Sequence, residues 1–147
     1  MVLQAKDIMD RNLLLIDEET DALSAVLKMV AARKGYAIVT RGPAAKIAGI
    51  VTEWDYLEKI LAKGLAPATV RLKELGSEIV HACFPETPTD EVASRMAELG
   101  IRRIVVRSGD QVVGVITSRQ VIGAFREYVD KLTAQIAGYH AGANPPG

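Results

Sequence analysis

Cysteine and histidine are nearly absent. A single cysteine, Cys83, excludes an intrachain disulfide and any cysteine cluster for zinc. Two histidines, His81 and His140, are too few for most metal sites built from protein ligands alone, so no metal centre is expected. His81 and Cys83 stand two apart in an extended segment and face the same side, yet a site there needs ligands from elsewhere. Excess charge of either sign is also missing: 18 basic and 18 acidic residues balance, which argues against nucleic acid as a partner. No apolar run approaches bilayer length, and the N-terminus lacks the apolar core of a signal peptide, so a cytoplasmic protein is expected. Neither a nucleophile–base pair nor a paired-carboxylate arrangement is present, because Glu53 and Asp55 diverge at a helix start. No enzyme is expected.

What is present is repetition. Gly49-Ile50-Val51-Thr52-Glu53-Trp54-Asp55 has a partner in Gly114-Val115-Ile116-Thr117-Ser118-Arg119-Gln120, 65 residues later. The match extends outward: Lys6-Asp7-Ile8 to Lys73-Glu74-Leu75, Thr20-Asp21-Ala22-Leu23 to Thr89-Asp90-Glu91-Val92, and Ala37-Ile38-Val39 to Ile104-Val105-Val106. Order is kept while the offset drifts by a few residues, the mark of duplication with loop-length changes. With 49% hydrophobic and 24% charged residues the chain is an ordinary globular one. Each repeat alone is of marginal size, so two repeats sharing a core are expected.

The repeats read as short strand, helix, strand, strand, helix, over 3–64 and 65–134, with a flexible tail over 135–147. In the first, a helical turn at Ala5–Met9 precedes the extended Leu13–Ile16. Thr20 is expected to cap a helix to Ala32 that buries Leu23, Val26, Leu27 and Val30 and stops at Gly35. Strands Ala37–Thr40 and Ile47–Val51 form a hairpin, followed by a helix over Glu53–Leu61 that buries Leu57, Ile60 and Leu61. In the second, Ile79–Cys83 is extended. Thr89 caps a helix burying Val92, Met96 and Leu99 and ending at Gly100. Arg103–Val106 and Val112–Ile116 turn about Ser108-Gly109-Asp110. A longer helix, Ser118–Ile136, presents Val121, Ile122, Phe125, Val129, Leu132 and Ile136 on its apolar side and ends at Gly138. The class is α+β with layers of the α/β type and approximate two-fold symmetry, with clefts between the halves.

The paired signature, a glycine, two apolar residues, threonine, two variable residues and aspartate, resembles that of tandem cystathionine-beta-synthase (CBS) domains, over roughly residues 3–134. The first copy matches in full and the second carries Gln120 in place of aspartate. The resemblance implies a stand-alone regulatory module that binds AMP, ADP, ATP, S-adenosylmethionine or NAD in the clefts between repeats, with no other cofactor. Asp55, in the first turn of a helix, suits the two ribose hydroxyls; the other reading is compensation of the helix dipole. Thr52 donates to a phosphate or caps its own helix, near first-turn N–H groups that favour an anion. Of Arg102 and Arg103, one faces a cleft and suits phosphate, or both are surface residues with acidic partners. Arg119 and, more weakly, Lys34 are further phosphate candidates, and Tyr36 is a base-stacking or core residue. Met9, Leu15 and Ile50 line the first cleft and Cys83 and Val115 the second, or all five are core. The second cleft, with Thr117 and Gln120, lacks a carboxylate and is expected to be weaker or altered. The family also implies a homodimer, for which Trp54, Tyr56, Ile60 and Phe125 offer surface. The alternative function is a protein-interaction module whose clefts are vestigial.

Overall fold

The computed structural model describes residues 3–79 and 81–142. Each repeat builds a three-stranded sheet, and the two sheets share one topology. In the first, β1 (Leu15–Asp17) lies parallel to β2 (Tyr36–Arg41), which pairs antiparallel with β3 (Lys46–Thr52). In the second, β4 (Ala82–Cys83) lies parallel to β5 (Arg103–Ser108), which pairs antiparallel with β6 (Gln111–Thr117). The register slips between Val39 and Thr40 in one hairpin and between Val106 and Arg107 in the other, so the bulge was duplicated with the fold.

The helices are α1 (Ala5–Ile8), α2 (Ala22–Ala32), α3 (Glu53–Tyr56, continued as a π-helical turn to Leu61), α4 (Leu72–Leu75), α5 (Thr89–Leu99) and α6 (Ser118–Gly142). Strand alternation divides the core into three. Ala37 and Val39 of β2 face a cluster with Ala25 and Met29 of α2 and Tyr56 and Ile60 after β3. Ile104 and Val106 of β5 face a cluster with Val92 and Met96 of α5. Between the sheets lie Tyr36, Ile38, Val105, Val112 and Val115.

The repeats are interlocked. α1 packs on the second repeat: Ala5 and Met9 belong to its cluster, with Cys83 and Ile116. α4 packs on the first, where Val70, Leu72 and Leu75 join Ile16 and Ala22. Backbone hydrogen bonds match across the exchange. Ala5 N–H donates to Thr87 O and Thr89 N–H to Leu3 O, while Leu72 N–H donates to Thr20 O and Ala22 N–H to Val70 O (2.8–2.9 Å).

Several expectations are corrected. Asp21, not Thr20, caps α2, accepting from the Ser24 N–H at 2.8 Å; Arg33, in the left-handed region, ends it before Gly35 is reached. Thr89 is the first residue of α5, and its hydroxyl donates to Leu3 O. The buried stripe of α2 is Ala22, Ala25 and Met29, whereas Leu23, Leu27 and Val30 are exposed, Leu27 by 60%. Leu57, Leu61 and Leu99 are likewise exposed. Small residues let α2 approach its sheet closely, and the large ones are left outside. α6 passes through Gly138 to Gly142; anything expected of the tail beyond that lies outside the described residues, as does residue 80 of the extended segment before β4. Among the described side chains of α6, Val121 and Ala124 face the core, and Ile122, Phe125, Val129, Leu132 and Ile136 are exposed. Among the described residues no helix is long and apolar enough to cross a membrane.

Candidate functional site

The two signatures form equivalent corners at the ends of β3 and β6. The linker before each short strand runs beside the signature. Ser77 and Ile50 exchange both backbone hydrogen bonds at 2.9 Å, and Asp10 and Val115 do the same at 2.9 and 3.1 Å. This contact explains the signature glycines. A Cβ on Gly49 would stand 2.4 Å from the Ser77 carbonyl oxygen, and one on Gly114 would stand 2.5 Å from Met9 Sδ.

At the first corner the Thr52 N–H donates to Asp55 Oδ2 at 2.8 Å, and the Thr52 hydroxyl lies 3.2 Å from the same oxygen. This closes a capping box on α3. Asp55 Oδ1 pairs with Lys59 Nζ at 3.1 Å, and Lys59 also donates to the Leu75 carbonyl of the crossing α4 at 2.7 Å. Asp55 is only 8% exposed. At the second corner the Thr117 N–H donates to Gln120 Oε1 at 2.7 Å, with the hydroxyl at 3.3 Å. Gln120 thus reproduces the cap but not the charge. Ala124 stands where the first repeat has Lys59.

Arg103 and Arg107 share the face of β5 turned toward the other sheet. Arg103 reaches Glu53 of the first signature helix at 3.0 Å and lies over the Tyr36 ring at 5.6 Å. Arg102 is exposed and takes part only through its carbonyl, which accepts from Ser118 N–H at 2.9 Å. The Nε of both Arg103 and Arg107 is buried without a partner among the described residues. Arg107 also borders a polar cavity of about 200 Å³ beside the first signature, with Ile47, Ala48, Gly49, Glu78 and Ile79. Glu78 and Arg107 were not legible as site residues, because only the crossing of the linker over β3 brings them together. The i, i+2 spacing of Arg103, Val105 and Arg107 was the available signal.

Tyr36 occupies the corresponding place in the first repeat. Arg103 and Lys34 both lie over its ring at 5.6 Å, and its hydroxyl donates to Asp10 Oδ2 at 3.2 Å. Burial and the Asp10 charge push its phenol well above the ordinary range. Lys34 forms an ion pair with Asp10. Burial raises the Asp10 carboxyl, but the hydrogen bonds from Lys34 and the Asn12 N–H, with the Lys34 charge, outweigh it and leave it below its usual range.

The remaining residues separate. Ile50 packs against the core between the sheets and Val115 lies within it. Met9, expected beside the first signature, lies instead against Gly114 at the second, because α1 crosses between repeats. Cys83 is buried in the second-repeat core rather than lining a cleft, and burial raises its thiol. Leu15 and Arg119 are exposed. Tyr56 and Ile60, expected as dimer surface, are core residues, while Trp54 and Phe125 are exposed. Among the described residues no group of three or more His, Cys, Asp or Glu is placed to hold a metal.

Comparison with known proteins fits this architecture. The chain is 26% identical over 117 residues to hypoxic response protein 1 of Mycobacterium tuberculosis, covering 80% of this chain and 81% of that one. The hexameric CBS-CP12 protein from bloom-forming cyanobacteria is 31% identical and superposes with a TM-score of 0.74 over 82% of this chain and 70% of its own. The CBS domain pair of protein MJ0100, solved in complex with 5′-methylthioadenosine and S-adenosyl-L-methionine, shares the fold at 22% identity, with a TM-score of 0.76 over 87% of this chain and 99% of its own. The CBS domain model matches twice, over residues 5–62 and 72–127, and the chain therefore belongs to the CBS domain family, as a tandem pair.

Proposed function

We propose that this CBS pair is a non-catalytic regulatory module that binds an adenosine-containing ligand at the first signature and passes its occupancy to a partner through altered packing. The observation that carries the reading is the pair of buried Nε donors of Arg103 and Arg107, without partners among the described residues, on the β5 face toward the first repeat. A buried donor left unpaired costs about 1–3 kcal/mol, and more for a charged group, so such groups mark a place where a polar or anionic ligand gains. Asp55 supplies acceptors for a ribose by exchanging its Lys59 contact, and Thr52 and Arg103 are the groups for a phosphate. Gln120, with no carboxylate, makes the second cleft the weaker one. The MJ0100 pair, held with two adenosyl compounds, supports the ligand class. Self-association is part of the reading: Trp54, Leu27, Val30 and Phe125 leave apolar surface on the helices, and the similar CBS-CP12 protein is hexameric.

Isothermal titration of the nucleotide-stripped protein with AMP, ATP, S-adenosylmethionine and NAD tests it. Saturable binding of one ligand, weakened at least tenfold by Asp55→Ala and by Arg103→Ala, is the expected result. A flat titration with all four, by a folded protein, would sink the proposal and favour an interaction module with vestigial clefts.

A further inference from the structure

An acid and a base stand side by side at the first signature corner. Glu53 Oε1 accepts from Arg103 Nη2 at 3.0 Å. The backbone identifies the equivalent places at the second corner: Glu53 N–H donates to Gly35 O and Ser118 N–H to Arg102 O, each at 2.9 Å. Glu53 thus corresponds to Ser118 and Arg103 to Tyr36, so the second corner carries neither charge at these positions. Gly35 leaves room for the pair, since a Cβ there would stand 2.7 Å from Arg103 Nη2 and 3.0 Å from Glu53 Cδ.

The two charges are held differently. Arg103 is only 25% exposed; it lies over the Tyr36 ring, and its Nε is buried without a partner among the described residues. Glu53 is 68% exposed. An ion pair so open to water adds little to stability, so a ligand replaces it at small cost. Thr52 and Asp55 flank Glu53 in the chain, which puts the groups for a ribose and this ion pair at one corner.

The pair bears on which end of an adenosine ligand fits here. A guanidinium suits a phosphate or a carboxylate alike, with two parallel hydrogen bonds. Charge separates the two. Lys59 offsets Asp55 and Glu53 offsets Arg103, so these four groups sum to zero. A phosphate monoester brings about two negative charges at neutral pH. On Arg103 it would stand against the Glu53 carboxylate, and like charges so placed repel. An α-amino acid group brings one carboxylate and one ammonium. It offers its anion to Arg103 and its cation to Glu53, and exchanges one internal pair for two external ones with no charge left unpaired. An unpaired charge against the wrong ligand is the usual source of discrimination.

We infer that Glu53 determines the specificity of the first cleft: with Arg103 it selects an adenosine ligand whose 5′ end carries an α-amino acid, the S-adenosylmethionine class, over one that carries phosphate. The inference rests on the adenosine-binding function proposed above and narrows it to one class of ligand.

The test is isothermal titration of the nucleotide-stripped full chain with S-adenosylmethionine, 5′-methylthioadenosine, AMP, ATP and NAD, for the wild type and for Glu53→Gln. 5′-Methylthioadenosine has the adenosine and the sulfur but neither amino acid nor phosphate. The Glu53 side chain is exposed, so the substitution leaves the core intact, which the thermal melt checks. The wild type is expected to bind S-adenosylmethionine at least tenfold more tightly than AMP, ATP or NAD. Glu53→Gln is expected to weaken S-adenosylmethionine at least fivefold, to tighten AMP, and to change 5′-methylthioadenosine by less than twofold. A merely structural role for Glu53 would move all three together. A wild type that prefers AMP, ATP or NAD, or a ratio of S-adenosylmethionine to AMP affinity that Glu53→Gln leaves unchanged, overturns this inference and leaves the adenosine cleft standing. A flat titration with all five, by a folded wild type, overturns both.

Discussion

Gln120 accepts in the second repeat the two contacts that Asp55 accepts in the first, from the N–H and the hydroxyl of the threonine three residues before it. The amide oxygen does the structural work of the carboxylate. Capping and ligand binding are therefore separable. Asp55→Asn is expected to keep the cap and change stability by less than about 1 kcal/mol, while Asp55→Ala costs about 1 kcal/mol through the lost cap. Both should weaken nucleotide binding. Gln120→Asp should add a second binding event to the titration.

Gly49 and Gly114 hold equivalent positions but face different neighbours. At Gly49 the obstacle is the Ser77 backbone carbonyl, which is fixed by its hydrogen bond to the Ile50 N–H; at Gly114 it is the buried Met9 side chain, from Sδ at 2.5 Å back to Cβ at 3.0 Å. Gly49→Ala is expected to cost about 3 kcal/mol and Gly114→Ala, where a side chain and not a backbone carbonyl has to shift, about 2 kcal/mol, within the range for overpacking. Urea unfolding midpoints with equal slopes would give the comparison.

Tyr56 links α3 to α2 by donating to the Ala22 carbonyl at 2.8 Å. Tyr56→Phe is expected to destabilise by about 1 kcal/mol, the net worth of one hydrogen bond. Burial, with the charges of Asp21 and Asp55, pushes this phenol up to about 12 from its ordinary 10.0. The unfolded chain ionises first as pH rises. The contribution of the neutral phenol is therefore intact below pH 10 and lost as pH climbs toward 12. Denaturant curves across that window should fall more steeply for the wild type than for Tyr56→Phe.

Asp10 works at the other end of the scale. Its folded carboxyl titrates below the ordinary value of 3.8, so its contribution is present above that pH and is lost as pH falls through the folded value. Asp10→Asn should be less stable at neutral pH and lose less on acidification. The same variant releases Tyr36 and Lys34. Tyrosine ultraviolet titration should then show one phenol ionising at lower pH than in the wild type.

Much of the fold could be read from local pattern. The duplicated signature, the Ser108-Gly109-Asp110 turn, the Gly100 helix stop and the strand–helix order depend on neighbours a few residues apart. The site was only partly legible. Thr52 and Asp55 stand in the motif itself and Lys59 follows Asp55 at the i, i+4 helical spacing, whereas Glu78 and Arg107 meet only through a linker crossing. The helix faces misled for a related reason. On α2 the large apolar residues Leu23, Leu27 and Val30 outweigh Ala22 and Ala25 in any hydrophobicity reading, yet close packing on the sheet selects the small ones.

Residue identity and period alone make this one unit used twice, with a carboxylate in one copy and an amide in the other. Packing between the repeats settles that residues 5–9 complete the second core and 72–75 the first. The two segments are near copies, Lys6-Asp7-Ile8 against Lys73-Glu74-Leu75, and fit equivalent grooves, so local pattern cannot assign them. Chain connectivity and packing across some 67 residues make that choice, and with it they place Met9 against Gly114 and Ser77 against Gly49.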